Sequence, residues 1–346
     1  MAIDSSPEKT DETHVFIPEE WDEAAYAVAY DSITSPPPIC VICGPPKSGK
    51  TTFSRHLLNV LIILSIDTGE RVAYLDTDVG QPEFTPPGCL SLTVVNKITP
   101  ALIVFSQYAI PCLKTPERCF FFGDITARKD LKTYLTYIHE LFDHYHQTIR
   151  GEHLKIGVPL VVNTPGWVEG KGLNLLINML KHITPTHVVK VHASPESKNN
   201  LPPGSFWLPD ANSRQVTLLD INSNRQDSFK KSVDDARLLR DRSILLMKFS
   251  CLPSQSSNYI QYSRILSHST NQIAPVSLDW QIASSLSSQH LPCCVGLGIV
   301  TGVDMSTKIM SLITPVPANL LEKVDILLHG LIKIPASLKE VGGVEG

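Results

Sequence analysis

The sequence predicts an α/β fold of P-loop NTPase type, a parallel sheet with helices on both faces, followed by a small β-rich C-terminal domain. Three observations carry that prediction. Gly44-Pro-Pro-Lys-Ser-Gly-Lys-Thr-Thr52 lies between an apolar run and a helix-competent segment, the strand, loop, helix context that a phosphate-binding loop requires. Strand-like and helix-like segments alternate up to about residue 250, the pattern of a parallel sheet covered on both sides. From about Val276 the chain changes to short strand-like runs split by turns such as Gly302-Val-Asp304.

The whole chain sets outer bounds. Its 346 residues are 42% hydrophobic, enough for one large domain or two ordinary ones. A net charge of −4 argues against a protein that coats long nucleic acid through a basic face, so any nucleic-acid substrate must be gripped by a local pocket. The eight cysteines follow no paired zinc-ligand spacing; Cys40 and Cys43 lie in the strand feeding the phosphate loop, where buried small hydrophobes and a reduced intracellular compartment are expected. The polar, acidic first 14 residues hold no secretory signal, and the longest apolar run, 57–66, is too short to span a bilayer.

Residues 1–37 read as a tail with a proline-rich lead-in, in which 21–30 could form an amphipathic turn or two. The P-loop domain is expected over 38–250. After the loop comes a helix over 50–64, with Phe53, Leu57, Leu58, Leu61 and Leu64 at helical spacing. A buried-type strand over 71–75 ends in Asp76-Thr-Asp78-Val-Gly-Gln81, where acids face phosphates beyond the carboxyl end of a parallel strand. Asp76 and Asp78 would point to one side if the strand continued. Strands are expected at 90–95, 102–106 (in a stretch 101–110 that reads as an insertion) and 120–122, and a helix over 130–146. That helix carries His139-Glu-Leu-Phe-Asp-His144, one residue too long for a zinc-protease motif, and solvated histidines are the expectation. A strand over 160–163, a helix over 173–180, a strand over 187–192, a loop over 193–214 and a helix over 234–247 with Arg237, Arg240 and Arg242 follow. Residues 251–275 read as a linker, and strands at 276–282, 294–301, 309–314 and 327–334 make up a C-terminal domain over 276–346.

The phosphate loop assigns chemistry by residue type. Pro45 and Pro46 offer no N–H, so the donors for phosphates come from Lys47 through Thr52 at a helix N-terminus. Gly44, Lys47, Ser48, Gly49, Lys50, Thr51 and Thr52 are the nucleotide-binding residues, Lys50 reaching the β- and γ-phosphates and Thr51 holding Mg²⁺. A GTPase reading is unsupported: Asn163-Thr-Pro-Gly166 imitates a switch motif but has Asn where the metal-side Asp belongs, and no N/T-K-x-D guanine clamp occurs.

Three ordered motifs, the phosphate loop, Asp76-Thr-Asp-Val-Gly-Gln-Pro-Glu-Phe-Thr-Pro-Pro-Gly88 and Thr164-Pro-Gly-Trp167, resemble those of the polynucleotide 5′-hydroxyl-kinase family, nearest its nucleolar pre-rRNA-processing branch. That branch is related to the RNA kinase of the pre-mRNA cleavage factor. The resemblance runs from about Ile39 to Ile334. It implies ATP and Mg²⁺ as cofactors, with Thr51 and Asp76 at the metal. It implies Lys50, Asp78 as general base and Arg240 as catalytic residues. Gln81, Thr164, Gly166, Trp167 and Arg237 fall to the substrate, Trp167 stacking on the terminal base. It further implies RNA with a 5′-hydroxyl end as substrate (pre-rRNA), an endoribonuclease partner, no membrane, and a place in the nucleus and nucleolus.

Two departures bear on this. The family's lid has two arginines with three residues between, whereas Ala236 stands four before Arg240 and the nearest partner is Arg237; the family's N-terminal β domain is expected to be missing. They keep open a catalytically inactive ATP-binding scaffold of an RNA-processing complex, and, more weakly, an NTP-hydrolysing switch.

Overall fold

Strands β1 (Ile39–Cys43), β2 (Val72–Asp76), β3 (Cys89–Val95), β4 (Arg118–Phe121), β5 (Leu160–Asn163), β6 (His187–His192) and β7 (Thr217–Asn222) form a seven-stranded sheet in the order β4-β3-β2-β5-β1-β6-β7. The computed structural model describes residues 17–32, 37–64, 71–99, 114–150, 157–193, 200–207 and 216–224, with short stretches between 258 and 328. β1, β2 and β5 are buried at every position, as strands covered on both faces must be.

The five strands β2-β5-β1-β6-β7 are parallel, while β3 and β4 run antiparallel at one edge. The cause is local. Only the loop 77–88 joins β2 to β3, with no crossover helix, and a chain without a crossover returns antiparallel.

Helices α1 (Glu19–Ser32) and α2 (Lys50–Leu64) cover one face of the sheet; α3 (Leu131–His144) and α4 (Gly170–Ile183) cover the other, each pair with its own apolar cluster. α1 is more than the turn or two expected. Acids in its first turn favour its N-terminus, and Trp21 is 2% exposed, edge-on to Phe53 at 5.6 Å with its Nε1 donating to Asn222 O at the end of β7. Asp130 caps α3 by accepting from Thr133 N, and a π-helical turn, Tyr145–Ile149, continues it. α4 begins three residues before the expected helix because Gly172 is needed inside it: a Cβ there would lie 2.8 Å from Trp167 Cβ. β7 had no counterpart in the sequence reading; at the sheet edge it is mostly exposed, so its apolar run is short.

Three further strands, β8 (Asn258–Gln261), β9 (Ile299–Asp304) and β10 (Ile309–Ile313), form an antiparallel sheet in the order β8-β10-β9. β8 arises inside the stretch expected as linker, and the strand expected at 294–301 begins only at Ile299. The expected strand 102–106, the helix 234–247 with Arg237, Arg240 and Arg242, and the strand 276–282 lie outside the described residues, as does nearly all of 327–334. Among the described residues no helix is long and apolar enough to cross a membrane.

Candidate active site

The phosphate loop leaves β1 through Gly44, where no other residue fits: its φ is +152° and a Cβ would lie 2.2 Å from Val191 O. Lys47 holds φ +64°, a left-handed conformation uncommon outside glycine and of the kind from which anion-binding backbone nests are built. Ser48 is 1% exposed and its Oγ has no hydrogen-bond partner. A strained residue and an orphaned hydroxyl in one loop are the marks of an anion cradle. α2 then begins at Lys50, so its N-terminal dipole points at that cradle. The Lys50 ammonium donates to Pro45 O at 2.7 Å. Burial pulls it down to about 8 while neighbouring Asp78 pushes back up; added phosphate charge would act in the same direction as Asp78.

Asp76 ends β2 and is fully buried. It accepts from Glu83 N at 2.5 Å, Asp78 N at 3.2 Å and the Asn163 side-chain amide at 3.2 Å. Burial nonetheless pushes its carboxyl up to about 7, with Asp78 adding to the rise and these hydrogen bonds opposing it. Because β2 stops at Asp76, the alternation expected to align the two acids does not apply. Asp78 lies in the following loop, where its Oδ1 accepts from Gly80 N at 2.9 Å and Gln81 N at 3.2 Å. Asp78 Oδ2 has no hydrogen bond among the described residues.

The third motif closes against the first. Thr164 is 1% exposed and its hydroxyl donates to Ile42 O at 2.7 Å, pinning the turn to β1. Its hydroxyl is thus spent on the protein backbone. Gly166 packs so tightly on Pro46 that a Cβ would meet Pro46 N at 2.5 Å and its Cα at 2.7 Å. Trp167 is half-buried, its ring centroid 5.2 Å from Tyr134. Tyr134 in turn donates its hydroxyl to Thr77 O at 2.5 Å, between the two acids. The Thr164–Trp167 turn, which the family resemblance makes a clasp for the acceptor end, the acidic loop and the phosphate loop therefore meet at the carboxyl ends of β1, β2 and β5.

Sequence reasoning missed the parts played by four residues. Asn163 appeared only as a failed switch residue, yet its amide reaches Asp76 and lies 3.5 Å from Thr51 Oγ1. Tyr134 was not singled out within the expected helix 130–146. Arg55 and Glu83, both buried, pair at 2.6 Å and tie α2 to the acidic loop; a charged residue on the apolar side of a helix was the available signal. Among the expected site residues, Gly44, Lys47, Ser48, Gly49, Lys50, Thr51, Thr52, Asp76, Asp78, Gln81, Thr164, Gly166 and Trp167 gather here, while Arg237 and Arg240 lie outside the described residues.

The donor set suits ATP with Mg²⁺. Thr51 and Asp76 are hard oxygen donors, and Mg²⁺ is commonly held by one or two protein oxygens together with phosphates. Among the described residues no group of three or more His, Cys, Asp and Glu side chains is placed to hold a metal.

Comparison with known proteins agrees with this geometry. Residues 44–243 match the family model described as mRNA cleavage and polyadenylation factor CLP1 P-loop, and residues 274–335 match NOL9-like, C-terminal domain. A protein of Arabidopsis thaliana named polynucleotide 5′-hydroxyl-kinase NOL9 is 44% identical over 94% of this chain and 93% of its own length. The human protein of that name is 28% identical over 89% of this chain and 51% of its own. Polynucleotide 5′-hydroxyl-kinase GRC3 of Gibberella zeae is 28% identical over 96% of this chain and 55% of its own, so the chain spans about half the length of these last two relatives. Among solved structures, a Clp1p–Pcf11p complex superposes with a TM-score of 0.57 at 17% identity, over 86% of this chain and 75% of that one, a likeness of fold.

Proposed function

We propose, because this chain belongs to the polynucleotide 5′-hydroxyl-kinase family, that it transfers the γ-phosphate of ATP to the 5′-hydroxyl of RNA ends. The observation that carries the reading is the contact of Gly166 on Pro46, which sets the Trp167 clasp directly against the phosphate cradle. A base stacked on Trp167 brings its own 5′ end to that cradle, and stacking accepts any base because every base has a π-face.

Phosphoryl transfer asks the protein for positioning and charge more than covalent chemistry. Lys50 and the N–H groups of the cradle orient the triphosphate. Asp78 Oδ2 receives the proton of the attacking 5′-hydroxyl as the oxygen–phosphorus bond forms, and ADP leaves. Thr164 holds the clasp through its bond to Ile42 O, and Gln81 and Gly166 border the acceptor. Mg²⁺, when bound at Thr51 and Asp76, supplies neutralising charge at phosphate oxygens. Arg240 is assigned the lid's catalytic contact and Arg237 a substrate contact, although their spacing departs from the family's two arginines with three residues between. The domain division proposed is a kinase domain over 38–250, a linker over 251–275 and a C-terminal domain over 276–346.

A finer proposal is that the RNA is pre-rRNA and the place the nucleolus, which the NOL9 name of the relatives fits, and that an endoribonuclease partner generates the 5′-hydroxyl end, as the resemblance to the pre-rRNA-processing branch implies. Incubation with γ-labelled ATP and a 5′-hydroxyl oligoribonucleotide tests the activity; label transfer that Lys50→Ala leaves unchanged rejects it. Asp78→Asn is expected to abolish transfer while ATP still binds, and retained turnover would move the base to another residue.

A further inference from the structure

We infer that the groove between the N-terminal halves of α3 and α4 is a track for the RNA strand beyond its terminal nucleotide, an inference that rests on the kinase reading and extends it. The groove is a cleft of about 340 Å³. Leu131, Leu135 and Leu175 form its apolar floor. Lys132, Lys171, Asn174 and Asn178 line it, all four exposed, and neither lysine forms an ion pair among the described residues.

Its position follows from the clasp. Trp167 lies three residues ahead of α4, its Cβ against Gly172, the neighbour of Lys171. On the other wall Leu135 follows Tyr134, the residue whose ring meets Trp167. The residues that flank Trp167 on both helices, Gly172 and Tyr134, are thus chain neighbours of the groove's Lys171 and Leu135, which sets one end of the groove next to the tryptophan proposed to receive the terminal base.

Its chemistry matches a single strand. Lys171, Asn174, Leu175 and Asn178 fall at the i, i+3, i+4, i+7 spacing of one helix face, and the 1.5 Å rise per residue makes that wall about 10 Å long. At about 3.4 Å per stacked nucleotide the wall accepts about three nucleotides. The leucines offer base faces a dry surface, the lysines offer phosphates a counter-charge, and the asparagine amides can bond ribose 2′-hydroxyls and base edges. Both helix N-termini also point their dipoles toward this end of the groove. A protein with net charge −4 needs such a local basic edge to hold RNA at all.

The test uses the full chain with Lys132→Gln and Lys171→Gln together, against Lys181→Gln at the far end of α4. Fluorescence anisotropy of a labelled 5′-hydroxyl decaribonucleotide over a salt series reads binding without turnover. Loss of two phosphate contacts is expected to reduce the slope of log K against log salt by about 1.4, at about 0.7 per contact on a single strand, and to weaken binding on the order of tenfold. In the transfer assay, KM for the decamer is expected to rise by a similar factor. kcat, and KM for a nucleoside 3′-phosphate acceptor, should stay unchanged. KM for unsubstituted protein should fall with acceptor length and level off near four nucleotides, one at Trp167 and about three in the groove.

An unaltered salt slope and affinity in the double variant overturn the track, and so does a KM independent of acceptor length; the groove would then be left for a peptide or other occupant. Absence of transfer to every acceptor removes the kinase reading alone, because the anisotropy measurement still decides the track.

Discussion

Gly166→Ala is the sharpest probe of the contact on which the site depends. Gly166 does not have a left-handed backbone, so alanine meets no conformational penalty there and the cost is purely steric. The added Cβ would lie 2.5 Å from Pro46 N and 2.7 Å from both its Cα and Cγ, where ordinary contact begins near 3.4 Å. Relief requires a shift of 3.4 − 2.5 = 0.9 Å. Pro46 has a ring-fixed φ and belongs to the loop that holds the triphosphate, so the clasp is the part that yields, carrying Trp167 with it. A displacement of about 1 Å at an acceptor-positioning group costs on the order of 10²-fold in rate, about 2.7 kcal/mol of transition-state stabilisation. The assay is kcat/KM for the 5′-hydroxyl oligonucleotide, with ATP affinity measured separately. Activity within about threefold of the parent refutes the reasoning. ATP affinity falling in step with activity refutes it differently, since the cradle and not the clasp would then have moved.

Trp167→Ala should raise KM for the oligonucleotide by about 5- to 150-fold, the equivalent of about 1–3 kcal/mol of stacking, with ATP affinity unchanged in a nucleotide titration. Glu83→Gln neutralises the carboxylate whose Oε1 accepts from Arg55 Nε at 2.8 Å and lies 2.6 Å from its Nη2 inside the fold. Breaking a buried pair of this kind costs about 3–5 kcal/mol, so the melting temperature should drop by about 6–20 °C; a change of under about 2 °C would show that the pair contributes little. His139 stacks on His182 at 3.8 Å, and burial, then His182, hold its pKa below the ordinary 6.5. A lowered histidine keeps the fold stable above the unfolded value and weakens it as pH falls through 6.5 toward the lower folded value. His139→Gln should therefore lose less melting temperature than the parent on crossing pH 6.5 downward, while His56 and His144, lowered chiefly by burial too, keep some of the slope. Equal losses in the two proteins would assign the effect elsewhere.

What the sequence made legible is the part written in local rules. Gly44 to Thr52 must stand between a strand and a helix, and it does, because glycines and a lysine at that spacing have few other uses. The parallel strands β1, β2, β5 and β6 were visible as apolar runs because both their faces are covered, whereas β7, parallel but exposed at the edge, was not. β3 was visible as a strand, but its direction was not, since direction depends on what connects it to β2. α1 was underestimated because Trp21 gains its partners, Phe53 and Asn222 O, from positions 32 and 201 residues away. α4 was shortened because Gly170-Lys171-Gly172 was read as the opening of a helix over 173–180, whereas Gly172 is itself helical and Trp167 lies over it. For α1 and α4 a tertiary contact overrode a local preference, while for β3 the short connection decided.

Asn163 shows the same principle inside the site. Read alone, it is a switch motif with the wrong residue, since a carboxylate there would face the metal in a GTPase. In the fold it stands beside Asp76, already fully buried with a carboxyl pushed up to about 7, and Asp78 adds to that rise. A third carboxylate at 163 would push further in the same direction and could donate no hydrogen bond while ionised. The asparagine amide instead donates to Asp76 at 3.2 Å and reaches toward Thr51 Oγ1 at 3.5 Å. Its carbonyl oxygen lies 3.4 Å from Ser54 Oγ, so the side chain spans β5, β2 and α2 at once. The residue that excludes the GTPase pattern thus favours the charged form of Asp76, and it leaves Asp78 Oδ2, which forms no hydrogen bond among the described residues, as the carboxylate oxygen proposed to meet the acceptor.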